Sequence, residues 1–238
     1  MSEQPKPAET PARQNVTFPS AGATAHGCLA LPPSGRGPGV LLIQEWWGLT
    51  DHIAEVADRL AAEGFVVLAP DLYGGSVAHD AEEARRMMRA LPVARGVELL
   101  AGAVGHLLSL PEVTSGTVGA VGFCMGGGFV LYLAAVEPRV SAAVPFYGVI
   151  RDGLPDFSGL RAHILGHYGE RDRSITPRRV EELRETIHRQ SGLSPDFRMY
   201  PAGHAFFNDR RPTYHPESAA AAWRGTVAFL HERLDPRP

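Results

Sequence analysis

Residues 117–128 read Thr-Val-Gly-Ala-Val-Gly-Phe-Cys-Met-Gly-Gly-Gly. The first seven form a small-residue and apolar run, the pattern of a strand buried on both faces. From Met125 the composition turns helical, and the spacing predicts a helix over Met125–Val136. Cys124 therefore falls on the bend between a strand and a helix. Gly122 and Gly126 flank it two residues away on each side. A nucleophile elbow needs that combination, because the bend is tight enough that side chains at the flanking positions would collide. The bend also sets the thiol at a helix N-terminus, whose partial positive charge favours a thiolate. A lone cysteine more often packs as a small apolar residue. That plainer reading suits Cys28, which has no such surroundings.

Working outward, the chain alternates. Residues 15–18 and 25–31 predict a hairpin at a sheet edge, and the Pro/Gly-rich stretch 32–39 a connector. Strands are predicted at 39–44, 65–69, 140–147, 162–165 and Asp196–Tyr200. Ile53, Val56, Ala57 and Leu60 recur at helical spacing, with Thr50 or Asp51 as cap and Gly64 as the stop. Further helices are predicted at 80–91, 93–108, 177–190 and Pro216–Leu234, with proline in the first turn at Pro177. Strands alternating with helices imply a mostly parallel sheet covered on both faces, an α/β fold. Functional groups in such sheets gather at the carboxyl ends of the strands.

Composition narrows the function. The chain has 238 residues, 44% apolar and 21% charged, with a formal charge of −3. Nothing in that balance calls for nucleic acid or an anionic membrane as partner. Residues 1–14 are polar with three prolines, so they predict a disordered segment and not a signal peptide. Residues 15–238 then form a single domain. Two cysteines and no membrane-length apolar run point to a cytoplasmic protein. A monomer or small homo-oligomer is expected, a state that the sequence by itself does not fix. No cofactor or metal is implied: His163, His167 and His188 show no zinc-ligand pattern with the cysteines.

Two partners for the cysteine stand downstream in the order nucleophile, acid, histidine. Asp172, in Gly169-Glu170-Arg171-Asp172, follows the predicted strand 162–165. His204, in Pro201-Ala202-Gly203-His204-Ala205-Phe206, follows the last predicted strand. Alone, the aspartate reads as a turn residue and the histidine as one of ten. Together with Cys124 they occupy three separate strand ends, as a Cys-His-Asp triad requires.

The segments Gln44-Glu45-Trp46-Trp47-Gly48, Ala69-Pro70-Asp71-Leu72-Tyr73, Gly122-Phe123-Cys124-Met125-Gly126-Gly127, Tyr147-Gly148 and Gly203-His204-Ala205-Phe206, with the Asp172 loop, resemble the dienelactone hydrolases (carboxymethylenebutenolidases). The resemblance runs from about Asn15 onward. It implies an α/β-hydrolase fold without a large cap domain, and cysteine-dependent cleavage of a small ester or lactone. It implies that Glu45 interacts with the resting thiol and helps take its proton when substrate binds. The backbone N–H groups of Trp46 and Met125 would form the oxyanion hole.

In one respect the sequence departs from the family. Its dienelactone enzymes hold the substrate carboxylate with two arginines. Four residues after the histidine, this chain has Asn208, with Arg210 and Arg211 nearby. For the second arginine, Arg85, Arg86 and Arg89 are candidates on the helix before the nucleophile strand. Trp47, Tyr73, Tyr147 and Phe206 flank the expected site and would suit a flat substrate. Two other readings stay open: a simple carboxylesterase or thioesterase of the same fold, and a non-catalytic ligand-binding member of it.

Overall fold

In the computed structural model, which describes residues 13–234, the predicted apolar runs pair into one eight-stranded sheet. Its order is β1 (Val16–Ser20), β2 (Ala23–Ala30), β4 (Val66–Pro70), β3 (Gly37–Ile43), β5 (Val113–Phe123), β6 (Val140–Phe146), β7 (His163–Gly169) and β8 (Asp196–Tyr200). The first two strands are antiparallel additions, and β3 to β8 are parallel. The β1–β2 hairpin turns through Ala21 and Gly22, both at positive φ, as a two-residue hairpin turn that matches strand twist requires. Residues 1–12 of the segment expected to lack structure lie outside the described residues. Arg13 and Gln14 pair with Asp51 at 2.9 Å and Asp71 at 2.6 Å.

Every residue of β3 and of β4 is buried. Alternation along β3 feeds two cores. Val40 and Leu42 pack with α1 (Asp51–Ala62) and α6 (Pro216–Leu234) through Ile53, Val56, Leu60 and Leu230. Leu41 and Ile43 face the other layer, built by α3 (Val93–Ser109), α4 (Met125–Val136) and α5 (Pro177–Ser191). The remaining helix, α2 (Ala81–Ala90), joins β4 to α3 and is capped by Asp80, whose side chain accepts from the Glu82 and Glu83 amides. No separate cap domain is interposed among the described residues. No single described helix is long and apolar enough to cross a membrane.

Three elements differ from expectation. β5 begins at Val113, earlier than the apolar run, because Val113 pairs with Gly37 of β3 and the Ser115 hydroxyl accepts from the Gly39 amide at 3.0 Å. Thr50 occupies the N-cap of α1, but its side chain makes no capping hydrogen bond. β7 runs on to Gly169 through Gly166 and His167, residues that weaken a strand pattern. It holds because the buried His167 ring meets Tyr200 Oη at 2.8 Å and Thr226 Oγ1 at 3.1 Å.

Candidate active site

The carboxyl ends of β3, β5, β6, β7 and β8 deliver Glu45, Cys124, Tyr147, Asp172 and His204 to one edge of the sheet. Cys124 has φ 54° and ψ −113°, a strained backbone for a residue with a Cβ. The bend is held by three main-chain bonds. The Cys124 amide donates to Phe146 O at 3.0 Å, and the Cys124 carbonyl accepts from Gly128 at 3.2 Å and Val149 at 2.9 Å. A Cβ on Gly122 would collide with the Gly126 carbonyl, and one on Gly126 with the carbonyls of Ile43 and Gln44. The glycine spacing is therefore what lets α4 start directly against β3.

The Asp172 and His204 loops are tied together by main chain. Glu170 N donates to Tyr200 O at 2.8 Å and Arg171 N to Ala202 O at 3.0 Å. His204 Nδ1 then meets Asp172 Oδ2 at 2.6 Å, and its Nε2 lies 3.3 Å from Cys124 Sγ. The other carboxylate oxygen of Asp172 accepts from the amides of Ser174 at 2.7 Å and Ile175 at 2.9 Å. With both oxygens committed, the carboxylate is fixed. Burial pushes the Asp172 pKa up, but His204 and the two amides outweigh it and leave it lowered. Burial pulls His204 down, yet its bonds to Asp172 and Cys124 win, and it is raised to about 10. The ring of Tyr147 lies 5.1 Å from that of His204 and backs the imidazole. Of the four described non-glycine residues at positive φ, three are Cys124, Tyr147 and Ala205. Backbone strain is thus concentrated at this site.

Cys124 opens into a cavity of about 440 Å³ that Glu45, Trp46, Trp47, Met88, Val149, His204 and Arg211 help to line. Met125 opens α4, so its N–H has no carbonyl one turn back to bond. Glu45 is buried, and Asn208 Nδ2 donates to its Oε2 at 2.6 Å. The Cys124 thiol is bonded to His204 and not, as the family resemblance implied, to Glu45. Burial raises the Glu45 pKa, with Asn208, Arg211 and His204 offsetting part of the rise.

Several expected substrate contacts are placed elsewhere. Arg85 and Arg86 lie on the exposed face of α2, Arg86 being 3.3 Å from Glu82; the helix gives the cavity Met88 instead. Tyr73 sits behind the site, its hydroxyl donating to Met125 Sδ at 3.3 Å. Tyr147 and Phe206 are fully buried and pack on each other, so they support the site without lining it. Asn208 faces Glu45. Trp47 does line the cavity, and the Arg211 guanidinium stacks on it at 3.8 Å. Sequence reasoning had no means to choose Arg211 over Arg210, which is bound to Glu55 at 2.7 Å. Pro212, Thr213 and Ser174 also reach the cavity, from loops whose paths carry no sequence signal. Among the described residues, no group of three or more His, Cys, Asp or Glu side chains could hold a metal ion.

A mostly parallel eight-stranded sheet with a strained strand-to-helix bend at β5 defines an α/β hydrolase. The dienelactone hydrolase family model matches residues 25–234, and the chain belongs to that family. It is accordingly an enzyme, a hydrolase of ester or lactone bonds. Protein usf of Aquifex pyrophilus is 34% identical to it, with 93% of this chain and 99% of that protein covered. A candidate carboxymethylenebutenolidase of Aquifex aeolicus is 32% identical, with 93% and 99% covered. The crystal structure of a candidate dienelactone hydrolase from Klebsiella pneumoniae superposes with a TM-score of 0.83 at 31% identity, covering 91% of this chain and 97% of the other.

Proposed function

We propose that the protein cleaves a small ester or lactone through a Cys124-His204-Asp172 triad and a thioester acyl-enzyme. The observation that carries this reading is the double engagement of one imidazole, with Asp172 on Nδ1 and the Cys124 sulfur on Nε2. His204 rests protonated, its charge balanced by Asp172. When substrate enters, Glu45 takes the thiol proton and Cys124 Sγ attacks the carbonyl carbon. The carbonyl pair moves onto oxygen, held by the Trp46 and Met125 amides. Collapse breaks the carbon–oxygen single bond, and His204 Nε2 protonates the leaving alkoxide, which stays tethered if the substrate is a lactone. Neutral His204 then takes a proton from water, and the hydroxide attacks the thioester. The acid departs, and Glu45 returns its proton to the sulfur. A thiol ionised only on binding is also guarded against oxidation.

Arg211, stacked on Trp47 at the cavity wall, is the group we assign to a carboxylate on the substrate. Measured at a pH above the acid limb, Arg211→Ala is expected to raise KM about tenfold for an ester bearing a free carboxylate and to leave KM for a neutral ester unchanged. Equal effects on both would remove Arg211 from recognition.

The decisive experiment follows 4-nitrophenolate release from 4-nitrophenyl acetate. Wild type should give a burst that iodoacetamide blocks. Cys124→Ala should lose at least about a thousandfold in rate while melting as cooperatively as wild type. Turnover retained in Cys124→Ala refutes the assignment.

A further inference from the structure

Glu45 stands in a wall shared by two cavities. One holds Cys124, and the other, of about 310 Å³, is lined in part by Asp51, His52, His79 and Arg210. Its Oε2 is bonded to Asn208 Nδ2. The orientation of that amide is set by main chain, because Asn208 Oδ1 accepts from the Arg210 N–H at 3.0 Å. The turn around it is closed by Asn208 N donating to Ala205 O and Arg211 N donating to Asn208 O, each at 3.1 Å. With Oδ1 committed, the side turned to Glu45 is an NH₂ group, which donates and cannot accept. A proton on Oε2 would turn a strong acceptor into a weak one, so while the bond persists a proton on this carboxyl is favoured on Oε1.

We infer that Asn208 is a positioning residue that ties down Oε2 of Glu45 and leaves Oε1 as the oxygen that takes the Cys124 proton and returns it. The inference rests on the role proposed for Glu45. The same N–H favours the ionised carboxylate and offsets part of the opposing push from burial. His204 and Arg211 also favour the carboxylate. Tyr147 and Cys124 border it, and Asp51, His52, His79 and Arg210 face it across the second cavity. The family resemblance led us to expect a substrate-binding residue at this position. Here it serves the enzyme's own carboxyl.

The test is the pH profile of kcat/KM for 4-nitrophenyl acetate, whose acid limb reports ionisation of Glu45 in the free enzyme. Asn208→Asp keeps an oxygen for the Arg210 amide and nearly the same volume, so the turn survives even if Asn208→Ala loosens it. In both variants the acid limb should move up by about one pH unit or more, a loss of about tenfold below it that recovers at higher pH. In Asn208→Ala a purely structural role would lower the rate equally at every pH; in Asn208→Asp the added carboxylate also raises Glu45 by like charge, so the alanine variant is the one that decides. In a Glu45→Gln background, Asn208→Ala should add little further loss. An acid limb unmoved in Asn208→Ala overturns the inference, as do effects that multiply in the double variant. If Glu45→Gln alone changes nothing, the reading of Glu45 fails as well. If Glu45→Gln lowers kcat/KM while Asn208→Ala keeps the wild-type limb, only the role of Asn208 is lost.

Discussion

Glu45 is a buried carboxyl with one hydrogen-bond donor among the described residues, an arrangement that costs stability once the group is ionised. Its pKa is raised in the fold, so the fold is favoured while Glu45 is protonated, and that contribution fades as pH rises through the folded value. Glu45→Gln keeps an acceptor for Asn208 and removes the buried charge. The variant should melt higher than wild type at pH 8, and the gain should disappear near pH 4. A lower melting temperature at pH 8 would contradict this. The Asp172–His204 pair behaves in the opposite sense. His204 is raised from 6.5 to about 10, so its contribution is complete below pH 6.5 and lost as pH climbs toward 10. Asp172 is lowered, so its contribution is lost in acid. The melting-temperature deficit of His204→Gln should be widest near pH 5 to 6, by about these limits, and shrink steadily toward pH 10. A deficit independent of pH would show that packing of the ring, and not its charge, is what the fold uses.

Among the elements, α4 shows how closely secondary structure and site are joined. It is apolar on all sides and starts against the carbonyls that end β3. Gly126→Ala must push the helix away from Ile43 and Gln44, because backbone cannot yield as a side-chain tip can. The expected cost is about 2–4 kcal/mol in denaturant unfolding, with hydrolysis falling further than stability because Met125 N–H and Cys124 Sγ move with the helix. Near-wild-type activity in a folded Gly126→Ala protein would mean that the elbow tolerates displacement. The helix α2 gives a contrasting case. A row of arginines there resembles an anion site in sequence, yet only a tertiary contact decides which face meets the cavity. The face that does carries Met88. Arg85→Ala and Arg86→Ala should leave KM for a carboxylate-bearing ester within about twofold of wild type.

Across the whole molecule, the two layers of helices close over a sheet whose interior holds an ionisable group unrelated to chemistry. His167 bridges β7, β8 and α6 through Tyr200 and Thr226, and burial lowers its pKa to about 3. The unfolded chain takes up a proton near pH 6.5, and the folded one does not until about pH 3. Stability must therefore fall through that window, by about 1.4 kcal/mol per pH unit from this group. Denaturant unfolding from pH 7 to pH 4 should show the slope in wild type and a shallower one in His167→Phe, which would be less stable at pH 7 for want of partners for Tyr200 and Thr226. Identical slopes would assign the acid sensitivity to other groups.

Strand and helix periodicity, read residue by residue, was enough to define the α/β layering, and the glycines around Cys124 were enough to mark the bend, because both are local: they depend on side-chain alternation and on room for a Cβ. The order Cys124, Asp172, His204 was legible for a related reason, since parallel strands send their carboxyl ends to one edge. The extension of β7 through His167 was not legible, because the partners that satisfy a buried imidazole come from β8 and α6. Nor was the choice of Arg211 over Arg85 and Arg86, or the pairing of Asn208 with Glu45, for these join residues far apart in the chain through loop paths. Local sterics and periodicity are written in the sequence, whereas the partner of a polar side chain is decided only when distant segments are brought within hydrogen-bond reach.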